Sequence, residues 1–204
     1  NGTVTYLGTD QDIFGDTYHH LVLEGNPGQR TLSGEITTTG DITIDPDVSL
    51  YVSGDNHGIT VGGDWNNDGT FSSGSGTVTF NGTANQVLTP GSSSFYNLTI
   101  NKNAFNDSVT IAADIDIDNA LTLTDGTLDI DTNDPGITLG GDLTISSGAV
   151  WTGGGGYLFC DGETQSLSDA NTTPNNLGYV YISSNLMTVA TNSTFVSLQI
   201  YSDS

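Results

Sequence analysis

Positive charge is almost missing from this chain. Of 204 residues only Arg30 and Lys102 are basic, against 24 aspartates and glutamates, for a formal net charge of −22. A surface of that sign repels nucleic acid and anionic lipid, so no nucleic-acid partner is expected. It attracts divalent cations, keeps copies apart at low salt and lets them associate once ions screen the repulsion. Two tryptic sites suit life outside a cell, and a halophilic origin accounts for the acidity equally well. Cysteine occurs once, at Cys160, in line with Phe80 and Tyr6 at an inward strand position, so it reads as a small buried hydrophobe. There is no Pro-rich linker, no membrane span, no signal peptide and no 3.6-residue periodicity of useful length, so no helix is expected and no membrane insertion. The start at Asn1-Gly2 falls at a repeat boundary and reads as a mature or trimmed end.

Repetition dominates what is present. GITVGGD at 58–64 returns as GITLGGD at 136–142, offset by 78 positions. GTVTY at 2–6 returns as GTVTF at 76–80 and as GYLFC at 156–160. One domain, 1–204, is expected, with internal repeats 2–75, 76–155 and a partial 156–204. A shorter period lies inside the long one. Ile115/Ile117, Leu121/Leu123 and Leu128 are followed 22 positions later by Ile137/Leu139, Leu143/Ile145 and Val150. Each pair alternates apolar residues with Asp or Thr, as half-buried strands do, and three strands that share one offset stack only if the chain coils.

The fold class predicted is therefore all-β: a three-faced right-handed parallel β-helix, or solenoid, with coils of about 22 residues. Tandem immunoglobulin-like sandwiches of about 78 residues are the rival, but their strands have no reason to recur at a fixed step. One face traced through Val4, Ile36, Ile59, Val78, Ile115, Ile137, Leu158 and Val196 has unequal steps, which predicts a protruding loop every third rung. The three loops would fall at 7–19, 81–96 and 161–177, about 14 Å apart along one edge, where binding or assembly residues collect.

Sites are few. Asp64, Asn66 and Asp68 with Gly69 match the first half of a calcium loop, so calcium is the one candidate cofactor. Ser75 stands where the bidentate Glu belongs, and the equivalent stretch after Asp142 has no such ligands, so a plain corner is the stronger reading. Asp114/Asp116/Asp118 and Asp129/Asp131 read as outward, solvated ladders. Arg30 and Lys102 lie apart from any carboxylate cluster, and the adjacent His19 and His20 should point to opposite faces, so no catalytic residue is assigned and no enzyme is expected. Asn1, Asn81, Asn97, Asn106, Asn171 and Asn192 head glycosylation triplets, which a chain rich in Asn, Ser and Thr produces by composition alone. Tyr18, Tyr96 and Tyr179 sit near the ends of the expected loops as candidate glycan or assembly residues. Thr37 to Thr39, with Thr43 and Thr60, is similar to the threonine arrays of ice-binding solenoids, although outward positions mix Thr with Asp and Ser.

The succession GTVTFNG at 76–82, FYNLTI at 95–100, LTLTDGTL at 121–128 and GITLGGD at 136–142 resembles the β-strand repeats of very long secreted surface proteins of bacteria and archaea. The likeness covers nearly the whole chain. It implies an extracellular or cell-surface location and a structural or adhesive role, and carries over no catalytic residue. Two functions follow as expectations. One is a self-assembling subunit of a surface filament, sheath or layer, a homopolymer through terminal rungs or side loops. The other is an adhesin or carbohydrate-binding rod; ice binding and polysaccharide processing come third.

Overall fold

Segments in which Ile, Val or Leu alternates with Thr, Asp or Asn can bury every second side chain, and the chain is built from such strands. The computed structural model describes residues 2–52, 54–102, 107–183, 186–189 and 194–201, and no helix occurs among them. Each strand pairs in parallel with the strand one coil further on, which satisfies the backbone along the axis of a β-solenoid. On the first face eight strands run from Thr3–Tyr6 through Trp65–Asn67 to Val150–Thr152. The second begins with Gln11–Ile13, Gly28–Leu32, Val48–Tyr51 and Thr70–Ser72, and resumes at Ile115, Gly136–Leu139, Tyr157–Cys160, Tyr179–Ile182 and Ser197–Ile200. Across the gap, Phe71 N–H donates to Ser93 Oγ at 2.8 Å. The third face runs from Thr17–Tyr18 through Ile59–Val61 and Phe95–Asn101 to Leu143–Ile145, Thr164–Asp169 and Leu186–Val189.

The 11-residue strand Ile115–Asp125 turns a corner without a break, so the second and third faces merge there. Its first part pairs Ile115 with Ile137, and its second pairs Leu121 with Leu143, the expected 22-residue step, and all four side chains are buried. On the first face Trp65, Leu88 and Ile111 follow at 23 residues. Leu128 lies beside Trp151, not Val150, which points outward.

Two expectations are corrected. No long loop marks every third rung, because the surplus residues are themselves strands: 7–19 contains Gln11–Ile13 and Thr17–Tyr18, 81–96 contains Gln86–Thr89, and 161–177 contains Thr164–Asp169. Nor do the similar phrases share a face. Val4 is on the first, Ile36, Ile59 and Val78 are on the third, and Ile115, Ile137 and Leu158 are on the second. The reason is physical: a strand, a glycine corner and another strand fit any corner of a three-faced coil, so a 78-residue repeat need not be a whole number of coils.

Aliphatic columns fill the interior, and one aromatic layer crosses it. Trp65, Phe71 and Phe95 meet at ring-centroid distances of 4.9, 5.5 and 5.4 Å, all buried. Cys160 lies in the core between Leu139 and Ile182 as expected, and burial pushes its thiol up to about 12, which leaves it unreactive at neutral pH.

Candidate functional site

Corners decide the chemistry of this molecule, because that is where a coil must satisfy backbone groups that no strand reaches. Both basic residues are used there. Arg30 is fully buried; its Nη1 donates to Thr9 O at 2.7 Å and its Nη2 to Glu24 O at 2.8 Å and Asn26 O at 3.2 Å. Lys102 is buried too, and its Nζ donates to Ala84 O at 2.7 Å and to Gln86 Oε1. Neither cation is left to the surface, so the side of the rod carries carboxylates with no lysine or arginine to balance them.

Glutamine closes three different corners in the same way. Gln165 Nε2 donates to Leu139 O at 2.6 Å and Gly141 O at 2.8 Å while its Oε1 accepts Gly162 N–H at 3.0 Å. Gln86 repeats this with Val61 O, Gly63 O and Gly82 N–H, and Gln11 accepts Gly8 N–H. A glycine followed three or four residues later by glutamine was a readable signal, and it marks the three stretches expected as loops.

Burial in this corner lowers the Lys102 ammonium to about 8, against weaker opposing pulls from Asp107 and Asp64. A lysine depressed in the folded state costs stability while it is charged there, and the cost is relieved as pH rises from about 8 toward the unfolded value near 10.4. The melting temperature is therefore expected to rise between pH 7.5 and 9.5, by the equivalent of about 1–3 kcal/mol. Lys102→Met should flatten that rise, read by differential scanning calorimetry across the range.

Acidic side chains serve the same end. Asp41 Oδ1 accepts Asp64 N–H, and Asp64 Oδ1 accepts Val87 N–H, each at 2.8 Å, so one corner carries a relay along the axis. Asp114 to Gly136, Asp134 to Gly155 and Asp142 to Ser166 repeat the device at 2.8 Å. The calcium-loop reading is altered by this. The strand Trp65–Asn67 separates Asp64 from Asp68 by about 13 Å of extended backbone, where a calcium loop needs a wrapped one, and the Asp64 carboxylate is engaged. Among the described residues no three His, Cys, Asp or Glu side chains gather as a metal site. The Asp129 carboxyl, pushed up by burial, is held below the ordinary range by hydrogen bonds from Thr132, Asp131 and Thr110 that outweigh it.

His19 and His20 do not oppose each other as expected; their rings lie 4.2 Å apart at a corner. Asp41 N–H donates to His20 Nδ1 at 2.9 Å, and the Asp41 carboxylate lies 3.3 Å from the same nitrogen.

The candidate tyrosines lie on strands and do not meet. Tyr18 is in the first coil, where its hydroxyl donates to Phe14 O at 2.8 Å and lies 3.2 Å from that of Tyr6; burial and then Tyr6 raise its pKa. Tyr96 is within Phe95–Asn101, and Tyr179 begins a second-face strand. Sequence reasoning missed the neighbours of Tyr179. Tyr157 pairs with it in register, and Phe159 with Tyr181, although the 22-residue offset of these two pairs was there to be read.

Asn81 is exposed at a corner, Asn97 Oδ1 accepts Asn119 Nδ2 at 2.7 Å, and Asn171 spends its Nδ2 on Ser146 O, Ala149 O and Asp169 Oδ1. Asn1, Asn106 and Asn192 lie outside the described residues. On the third face Thr17, Thr37, Thr60, Thr79, Thr99, Thr122 and Thr144 form one file over seven coils, purer than the sequence suggested. The adjacent file runs Thr77, Asn97 and Ala120, so the second threonine row of an ice-binding array is absent there.

No family model, curated protein or solved structure matches the chain.

Proposed function

We propose that this solenoid is a structural rod of an extracellular filament, sheath or layer, extended by coils of other copies stacking on its ends. The observation that carries the reading is that, among the described residues, the core columns are uncovered at the first and last coils. Val4 continues the column of buried Leu21, while Leu198 and Ile200 continue those of buried Val180 and Ile182. Phe14 at one end is 69% exposed and Ile200 at the other is 71% exposed. Among the described residues the strands there pair on one side only, which leaves an edge that a further strand can extend. Lateral contact is opposed by a wall without lysine or arginine, so stacking along the axis is the favoured contact, and salt should promote it. The likeness to surface-protein repeats supports the location.

Sedimentation velocity tests this. Rods that lengthen with protein concentration, and more so in 0.5 M than in ~0.01 M salt as screening shortens from about 30 Å to a few ångströms, are expected. Phe14→Asp or Leu198→Asp should shorten them. A chain that stays monomeric at high concentration in salt and calcium overturns the reading.

A further inference from the structure

We propose that the second face binds a neutral, extended polysaccharide on a strip of aromatic side chains led by Tyr157. This goes beyond the rod reading and does not depend on it. Two files of outward residues run side by side along this face. One is Tyr157, Tyr179 and Ser197, and the other is Asp116, Thr138, Phe159, Tyr181 and Gln199. Tyr157 and Tyr179 are each 37% exposed, and the rings of Tyr157, Tyr181 and Tyr201 follow one another at 5.9 and 6.3 Å.

At the head of the strip lies a depression of about 280 Å³ walled by Ser94, Asp114, Asp116, Thr138 and Tyr157. Its shape depends on Gly136. A Cβ there would fall 2.2 Å from Tyr157 Cζ and 2.3 Å from its hydroxyl, so the tyrosine lies down along the sheet across the glycine. A side chain laid on the face in this way is a platform beside polar walls. Sugars match that pairing, since a pyranose has an apolar face of C–H groups and a rim of hydroxyls.

Charge chooses the class of glycan. With Arg30 and Lys102 buried in corners, nothing on the face pairs a uronate, sulfate or phosphate. Two carboxylates beside the strip are already engaged within the fold: Asp114 Oδ1 accepts Gly136 N–H at 2.8 Å, and Asp118 Oδ2 accepts the Ser94 hydroxyl at 2.9 Å. Length follows from the file Asp116 to Gln199, four rung steps or about 19 Å, which spans several sugar units and not one.

Affinity electrophoresis in gels containing hydroxyethyl cellulose, a mixed-linkage β-glucan, a galactomannan, a polyuronate or poly-lysine tests the proposal. Retardation by at least one neutral polysaccharide and none by the polyuronate is expected. Tyr157→Ala and Tyr179→Ala should each weaken it by about tenfold, while Tyr157→Phe keeps most of it. Gly136→Val retains the tyrosine but displaces it and should cost as much as Tyr157→Ala; Tyr51→Ala, on the same face outside the strip, should change nothing. Circular dichroism and sedimentation of each variant report fold and assembly separately from binding. Absence of retardation by all three neutral polymers, retardation indifferent to Tyr157, or retardation by poly-lysine alone overturns the proposal.

Discussion

Arg30→Met should lower the stability of the rod by about 3–5 kcal/mol, and the loss should be local. The guanidinium holds the carbonyls of Thr9, Glu24 and Asn26, which belong to a corner that no strand closes. Methionine fills most of the volume and leaves those partly buried acceptors without their donors, at up to about 1–3 kcal/mol each. Lysine restores a charge but not the fork that reaches several carbonyls, so Arg30→Lys should recover only part of the loss. In a solenoid each coil leans on its neighbours, and the first coils should therefore unravel before the rest. Hydrogen exchange checks this: protection should fall in Gln11–Ile13 and Gly28–Leu32 and persist in Gly136–Leu139.

Trp65→Ala should cost a similar amount, about 3–5 kcal/mol, and divide the rod in its middle. The indole is fully buried against Phe71 and Phe95, and alanine opens a cavity that three flat faces cannot collapse to fill. Trp65→Phe should cost much less, because the buried indole N–H has no hydrogen-bond partner and its removal relieves a penalty. Urea midpoints of the two variants, compared with that of the parent chain, give the ranking.

Much of the fold was legible because strand alternation and the 22-residue step report directly on stacking. Ile115 over Ile137 and Leu121 over Leu143 needed no other information. The loops were misread for an equally physical reason. Gln86–Thr89 and Thr164–Asp169 place Gln86 and Gln165 inward, so their polar letters hide buried positions. A glutamine that satisfies both strands of a corner is as much a core residue as a leucine, yet it breaks the apolar pattern on which strand reading depends. Arg30 and Lys102 were hidden in the same way, since charge in a sequence suggests surface and here both plug corners. The aromatic strip was missed because register, not spacing within one strand, brings Tyr157 beside Tyr179 and lays it over Gly136.

End-to-end stacking is tested most directly by electron cryo-microscopy of the chain concentrated in salt. The proposed axial stacking predicts filaments in which the strand ladder, at about 4.8 Å per rung, runs without interruption from the coil bearing Ser197–Ile200 into the first coil of the next copy. Isolated rods of one subunit's length, or filaments joined through their sides with the terminal coils still open, would contradict it.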